Sequence, residues 1–407
     1  MNTTPKRDLS IHVEVTSNCN SSCLYCGRFV GGGQWEVTDV VNPHIQIGSA
    51  GNMSLDAIKN IFDEETSAIL YKVVFTGAFG DAQMHPKFFD IVREIGIRTS
   101  KTQGRALFVM ETNGGMHKPE WWAELHSIVK QYYHRLSRVI FSIDGTDDET
   151  HQMYRRGVDW NKVMANAKSY IQSGGNATWQ MIEFDHNKHQ FELAQTMATE
   201  YGFMSFETRR SRNRFITRGT PIKFVPRNTK KKSISEEAIN IPEDYVKSSK
   251  EIKKSVGIKN ETTLDKYLTS CEVSCEWKAR NSYSVDYDGR VWQCCHFSMM
   301  LHPGWGHVQT PSAEQLQEHI RAKLRDERLD WYLNQYEPDW NDVNRRKFSD
   351  IIQHRFFTED LEMSFENKHS NPKFPRINRC SERCGPASIE FDKKHYGRDF
   401  REKFYKE

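Results

Sequence analysis

Residues 9–26 read LSIHVEVTSNCNSSCLYC, and this stretch decides which fold the chain can adopt. Its first half alternates as a β-strand does, with Ile11, Val13 and Val15 on one face. A loop follows directly, and three cysteines lie in it at spacings of three and then two residues: Cys19, Cys23 and Cys26. A short loop after a strand can bring three such thiols together.

Three thiols in one loop indicate a metal site. The chain has nine cysteines in four groups, which in a large non-secreted protein favours metal ligation over disulfides. A structural zinc site needs four ligands, whereas a [4Fe–4S] cluster held by three cysteines keeps one iron open for another ligand. The alternatives are a zinc knuckle completed by His12 or His44, or a set of buried free cysteines.

The first half of the chain repeats a strand and helix pattern. β-type runs recur about every 30 residues, and each precedes a stretch with helical spacing. The predicted strands are 9–16, 71–77, 106–112, 138–144, 177–184 and 204–209. Ser54, Pro86 and Pro119 mark helix starts between them. Six βα units predict an α/β fold, a partial (β/α)6 TIM-like barrel, although a doubly wound sheet has the same periodicity.

Polar and glycine-bearing loops follow these strands, and in either fold the carboxyl ends of the strands carry the function. The residues are Gly77, Gly80 and Asp81 after the second strand, Asn113 after the third, and Ser142 and Asp144 after the fourth. Arg155 or Arg156 is a candidate carboxylate partner, because a guanidinium pairs with a carboxylate through two hydrogen bonds. Taken singly these are ordinary turns and surface arginines, but their common location favours one site.

The cysteine loop and the strand ends together resemble the radical S-adenosylmethionine (SAM) enzymes. The resemblance implies that Cys19, Cys23 and Cys26 hold a catalytic [4Fe–4S] cluster whose open iron binds SAM. It also implies these SAM contacts: Tyr25, Gly77, Gly80, Asp81, Asn113, Ser142, Asp144 and Arg155. The segment 76–81 departs from the commoner Gly-Gly-Glu form, and Asp81 stands where the glutamate would be.

The activity implied by the resemblance is reductive cleavage of SAM to a 5′-deoxyadenosyl radical that abstracts hydrogen from a substrate. Relatives with C-terminal cluster domains often modify peptides or proteins, and others build cofactors or act on small molecules such as aminoglycosides, so a peptide or protein is one of the substrate classes that the resemblance implies. An external electron donor such as a flavodoxin or ferredoxin is also implied. No substrate-binding residue can be named from the sequence.

The second half of the chain carries six further cysteines, in pairs at 271 and 275, 294 and 295, and 380 and 384. An alternating run over 281–287, a turn at Asp288-Gly289 and the run 291–295 predict a β-hairpin with thiols at both ends. The arrangement resembles twitch and SPASM domains. Six cysteines suffice for one auxiliary [4Fe–4S] cluster but not for two, which favours a twitch-type domain.

The implied ligands of this auxiliary cluster are Cys275, Cys294, Cys380 and Cys384, with Cys271 and Cys295 as spares or substitutes. Alternation along a strand points adjacent residues in different directions, so Cys294 and Cys295 are not expected to serve the same cluster. A zinc site with the same four ligands is the alternative.

Composition sets the remaining expectations. The net charge of +3 argues against a general polyanion binder, and no apolar run reaches the ~18 residues of a membrane helix, so a cytoplasmic protein without membrane or nucleic-acid partners is expected. Residues 209–232 hold ten Lys or Arg and no acidic residue. The predicted domains are a barrel over 1–210, a basic then mixed-charge linker over 211–262, and a twitch-type domain over 263–407 with a helical insertion at 312–370.

The competing function is non-enzymatic. In that alternative the chain is a zinc-stabilised binding protein that docks a polyanion through the basic segment 209–232.

Overall fold

A computed structural model describes residues 8–23, 26, 28–33, 36–41, 45–101, 105–210, 223–224, 243–297, 327–366 and 374–396. Its centre is an eight-stranded sheet, in which six barrel strands lie beside a C-terminal hairpin of β10 (Ser282–Val285) and β11 (Val291–Trp292). The strand order is β11-β10-β1-β4-β5-β6-β7-β8. The barrel strands are β1 Leu9–Val13, β4 Leu70–Phe75, β5 Leu107–Thr112, β6 Arg138–Ser142, β7 Asn176–Glu183 and β8 Ser205–Arg210. These six pair in parallel and in chain order.

The chain order of the six strands decides between the two predicted folds. A doubly wound sheet reverses its strand order at a switch point, whereas here every crossover moves one strand in the same direction. The partial barrel is therefore confirmed. Strand β1 ends at Val13, three residues before its predicted end, because the chain there turns into the cysteine loop.

Seven helices cover the outside of the barrel: α1 Leu55–Ile61, α2 Glu64–Ile69, α3 Phe88–Ser100, α4 Pro119–Tyr132, α5 Asp148–Tyr154, α6 Trp160–Gln172 and α7 Phe191–Glu200. Ser54 caps α1 by accepting a hydrogen bond from the Ala57 amide at 3.1 Å, and Pro119 occupies the first position of α4. Short 3₁₀ turns lie at Gly48–Gly51, Ala82–Met84 and Lys188–Gln190.

The two faces of the sheet differ. The face toward the helices belongs to the main hydrophobic core, which includes Trp122, Phe141 and Trp179. The opposite face lines the barrel interior and holds a small separate cluster of Val74, Val109 and Ile140. The strands thus bury apolar surface on both sides, as expected for parallel strands.

The predicted C-terminal hairpin is present as β10 Ser282–Val285 and β11 Val291–Trp292. It joins the barrel sheet, because β10 pairs in parallel with β1. Cys294 and Cys295 lie beyond the end of β11, so the alternation of a strand does not govern their directions. A second sheet contains β2 Phe29–Gly33, β3 Glu36–Val41 and β9 Lys223–Phe224.

Helices make up most of the described C-terminal region. They are Glu243–Ser255, Glu261–Ser270, Glu276–Ala279, Glu327–Leu333, Phe348–Ile351, Leu361–Glu366, Asn378–Cys384 and Pro386–Tyr396, with a π-helical turn at Phe356–Asp360. Glu243–Ser255 falls within the predicted linker and is a helix. Ser349 donates its amide to Asp63 at 3.1 Å, so the predicted helical insertion packs on the barrel. The domain boundaries themselves stay a prediction.

Candidate functional site

The three cysteines of the first loop lie close together at the end of β1. The amide of Ser21 donates to the Cys19 sulfur at 3.4 Å, and the hydroxyl of Ser21 lies 2.8 Å from the Cys23 sulfur. The amide of Cys26 donates to the Cys23 carbonyl at 3.3 Å. Burial, together with the nearby thiols, raises the pKa of Cys19 and raises that of Cys26 to about 11. Tyr25 lies outside the described residues.

Two predicted SAM-contacting side chains point at these sulfurs. The Asn113 amide nitrogen lies 3.6 Å from the sulfur of Cys19, and the Arg155 guanidinium lies 3.7 Å from that of Cys23. Polar hydrogens on two sulfurs suit thiolate ligands, since such hydrogen bonds favour the charged form. Three thiols in an N–H-rich setting fit a [4Fe–4S] cluster. No three ligating side chains among the described residues are already gathered around a single-ion position.

Asp81, in the loop after β4, connects that loop to the loops after β1 and β5. Its carboxylate accepts hydrogen bonds from the Thr112 hydroxyl at 2.9 Å and from the Asn113 amide at 2.7 Å. The Asp81 amide in turn donates to the Asn18 carbonyl in the cysteine loop at 2.9 Å. Burial raises the pKa of Asp81. Because both carboxylate oxygens are bonded within the protein, Asp81 holds the loops after β1, β4 and β5 together.

Gly77 and Gly80 allow a close approach between loops. A side chain at Gly80 would collide with the Thr16 carbonyl oxygen, and one at Gly77 would collide with the Gly80 carbonyl oxygen. These obstacles are backbone atoms, which cannot swing aside. The two glycines are therefore needed for packing against the cysteine loop.

Glu14 was missed by the sequence reasoning, although it stands five residues before the first cysteine. Its buried carboxylate accepts hydrogen bonds from the amides of Phe79 and Gly80, the latter at 3.1 Å. Burial raises the pKa of Glu14 to about 8. The signal that could have found it is an acidic residue on the interior face of a strand that leads directly into the site.

Asp144 and Arg155 form an ion pair beside the cysteines, with the Arg155 Nε 2.6 Å from a carboxylate oxygen of Asp144. The other oxygen of Asp144 accepts the Ile182 amide, and its own amide donates to His151 at 3.1 Å. Asp144 is fully buried, and the pair raises the pKa of Arg155. Of the two candidate arginines, Arg155 faces the cysteines. Ser142 is half-buried at the end of β6.

The four predicted auxiliary ligands also converge. The pKa of Cys275 falls to about 7 because it shares a hydrogen bond with Cys384, whose pKa that bond raises. The charge of Cys384 would also interact with those of Cys294 and Cys380. Burial raises the pKa of Cys294. These four thiols come from the start of Glu276–Ala279, the residues after β11, and the helix Asn378–Cys384.

Cys271 lies at the same place: a side-chain carbon at Gly385 would be 3.0 Å from its sulfur. The Cys271 carbonyl accepts a hydrogen bond from Arg376 at 3.0 Å. Burial and the neighbouring Cys295 both raise the pKa of Cys294, so Cys295 also lies near the four predicted ligands.

A partial barrel with three cysteines in the loop after its first strand defines the class of protein. Residues 13–189, which include the cysteine loop, match the model of the Radical SAM superfamily. A curated relative, the tungsten-containing aldehyde ferredoxin oxidoreductase cofactor-modifying protein of Pyrococcus furiosus, is 30% identical over 115 residues. That match spans 28% of this chain and only 26% of the relative.

Solved structures agree on the fold. A hexahistidine-tagged anSMEcpe with bound AdoMet, another abbreviation for SAM, has a TM-score of 0.50 at 15% identity. That match covers 98% of this chain and 94% of the other chain. Native anSMEcpe with bound AdoMet has a TM-score of 0.50 at 14% identity, with 97% of each chain covered. At this identity the likeness shows the fold alone. No described helix is long and apolar enough to span a membrane.

The basic segment of the competing function lies mostly outside the described residues. Of its residues, the structure describes Arg209 and Arg210 at the end of β8 and the short strand β9.

Proposed function

We propose that this protein reductively cleaves SAM and uses the resulting radical to abstract hydrogen from a substrate. Cys19, Cys23 and Cys26 would hold the [4Fe–4S] cluster, which when bound supplies the electron that breaks the S–C5′ bond of SAM. The observation that carries the proposal is that Asn113, directly after β5, and Arg155, at the end of α5, both lie against the cysteine sulfurs.

The chain's own residues would bind and orient SAM. Arg155 is held rigidly by Asp144 and would pair with the methionine carboxylate, because its guanidinium already faces the cysteines. Asn113 and the loop containing Gly77 and Gly80 would lie along the methionine end. In the same proposal Asp81 orients the backbone of this loop, in addition to any direct contact that it makes with SAM.

The remaining predicted contacts, Ser142 to the ribose and Tyr25 to the adenine, are proposed from the resemblance alone.

The substrate would enter the barrel interior, as a peptide or protein side chain. Glu111 and Arg209 face each other there from β5 and β8, at 3.8 Å. This separation exceeds that of a tight ion pair, so both side chains can also hydrogen-bond to a polar group placed beside them. The side-chain amide nitrogen of Gln180 is buried there and has no hydrogen-bond partner among the described residues. A buried donor of this kind favours a polar substrate group.

We further propose an auxiliary cluster at Cys275, Cys294, Cys380 and Cys384. The support is that these four thiols are close enough to shift one another's pKa. Four cysteines also suit zinc, so the metal itself has to be identified by analysis.

The test is anaerobic reconstitution with iron and sulfide, followed by dithionite reduction and a search for 5′-deoxyadenosine after adding SAM. We expect about eight irons per chain, from two clusters of four, together with deoxyadenosine. The Cys26→Ala variant should lose about half of the iron and all of the deoxyadenosine. Zinc at both cysteine groups and no deoxyadenosine would refute the proposal and favour the polyanion-binding alternative.

A further inference from the structure

A cavity of about 270 Å³ lies on the outside of the barrel, between the start of α3 and the loop that precedes α4. Its lining residues lie in the loops after β4 and β5 and in the helices α3 and α4 that follow them. Its lining includes the side chains Met84, Lys87, Phe89, Met116, His117 and Trp121. Half of its lining residues are apolar and half are polar or charged, which suits a ligand with both an apolar and a polar part.

Aromatic rings form one wall of this cavity. The rings of His117 and Trp121 are stacked at 4.3 Å with only 8° between their planes, and Trp121 and Phe89 are stacked at 4.7 Å and 23°. All three rings are half-buried. His117 has a φ of 63°, which is rare outside glycine, and a 2.7 Å hydrogen bond to the Gln83 carbonyl fixes its ring. Such a wall suits a flat aromatic ligand.

A chain of contacts joins this wall to the candidate cluster. His117 bonds to the Gln83 backbone, and the Gln83 side-chain nitrogen donates to Asn113 at 3.0 Å. Asn113 in turn lies 3.6 Å from the sulfur of Cys19. The side-chain oxygen of Gln83 also accepts the Met116 amide at 3.1 Å. Three residues therefore connect a ring at the surface to a thiol of the catalytic loop.

The charges of the cavity favour an anion. Its charged lining residues are Lys87, Arg93 and Asp90, and because Arg93 also faces Glu124, the cation left to meet an anion is Lys87. Arg93 is already paired with Glu124 at 3.0 Å and lies 3.8 Å from Asp90. Lys87 is exposed at the rim, and within the described residues it makes no ion pair. A ligand with an aromatic ring and a phosphate would match both features.

We propose that this cavity binds the ring of a reduced flavin and is the point at which the electron for SAM cleavage enters. The anionic flavin hydroquinone would lose one electron and become the neutral semiquinone without releasing a proton, and the electron would reach the cluster through Trp121, His117, Gln83 and Asn113. The phosphate would lie near Lys87. The ring can come from free reduced flavin mononucleotide (FMN) or from a flavodoxin. This inference rests on the proposed function for the fate of the electron.

The first experiment measures binding alone. Oxidised FMN is titrated with the purified protein and its fluorescence is followed. Trp121→Leu should weaken binding about tenfold, as expected for loss of an aromatic contact, whereas Trp331→Leu, in the helix Glu327–Leu333, should not change it. Lys87→Gln, an exposed substitution that should not affect folding, should also weaken binding. Equal binding by wild type and both cavity variants would overturn a free-flavin site.

The second experiment compares electron donors. Cluster reduction, followed by electron paramagnetic resonance, is driven by photoreduced FMN, by reduced flavodoxin or by dithionite, which needs no aromatic contact. Trp121→Leu should slow the flavin-driven reactions at least about tenfold and leave the dithionite reaction unchanged. An effect with flavodoxin only assigns the ring to the flavoprotein. An unchanged rate with both flavins would refute the inference, whereas failure of wild-type SAM cleavage with dithionite would refute the proposed function instead.

Discussion

Glu14 is a residue near the site whose pKa lies far from its ordinary value. Its carboxyl is buried against two amides of the loop that contains Gly77 and Gly80, called here the glycine loop, and burial raises the pKa of this carboxyl to about 8. In the unfolded chain it ionises near 4.5. The folded protein therefore holds a proton that the unfolded chain releases, and the stability contributed by this proton is lost as pH rises from about 4.5 to 8.

We predict that Glu14→Gln flattens this dependence. For the wild-type protein, the Glu14 contribution to the free energy of unfolding should fall with rising pH by at most about 1.4 kcal/mol per unit between pH 5 and 8. The measurement is urea unfolding of the cluster-free protein across this range. The difference between wild type and variant isolates Glu14 from the buried histidines, whose effect on stability has the opposite slope. Parallel curves for the two proteins would show that Glu14 is ionised in the folded state.

Arg155 allows a second prediction at this scale. Lysine keeps the charge but cannot bond to Asp144 and reach toward Cys23 at the same time, as the guanidinium does. Arg155→Lys should therefore weaken SAM binding and slow deoxyadenosine formation by about tenfold to a hundredfold, the range of a charge-assisted hydrogen bond. Arg98→Lys, in the last turn of α3, is the matched control. If both variants bind SAM like the wild type, Arg155 does not contact it.

At the scale of the element, the loop between β4 and α3 is packed against the cysteine loop through backbone atoms. Gly80→Ala would place a methyl group against the Thr16 carbonyl, which cannot move without displacing β1. We expect a loss of about 1 to 3 kcal/mol in stability and a much larger loss of SAM binding. Thermal unfolding and equilibrium dialysis with SAM would measure both. Normal SAM binding by this variant would show that the loop can shift freely.

The elements differ in how far the sequence could predict them. The strands β4 and β7 begin within one residue of their predicted starts, because local apolar runs and helix caps define them. The pairing of β10 with β1 could not be predicted, since nothing local relates strands so far apart in the chain. The support of the glycine loop by Glu14 depends on the same kind of distant contact. The candidate ligand cysteines could be named from the sequence because their spacing along the chain is itself the signal.

At the scale of the whole molecule, the auxiliary cysteines and the barrel are joined by one sheet. The hairpin leads into Cys294, and its turn residue Tyr287 packs against Phe79 of the glycine loop with ring centroids 6.0 Å apart. The amide of Glu14 also donates to the Val285 carbonyl at 2.9 Å. Loss of the auxiliary site should therefore disturb SAM binding without abolishing it.

The corresponding prediction concerns Cys384→Ser. The reconstituted variant should contain about four irons instead of eight and still form some deoxyadenosine, uncoupled from product. Iron analysis and deoxyadenosine assays measure this, with Cys26→Ala as the control that loses cleavage instead. A variant that keeps all its iron would remove Cys384 from the ligand set and favour Cys271 or Cys295.

The insertion of the hairpin beside β1 also has a consequence for how the chain is made. Asp8 and Asn281, which hydrogen-bond at the start of these two strands, are 273 residues apart in the chain. At roughly 5 to 20 residues per second, a ribosome needs about 15 to 55 s to synthesise the intervening chain. During that time the first strand of the barrel has one open edge, next to three unligated thiols. The newly made protein therefore depends on protection from aggregation and oxygen until its C-terminal half emerges.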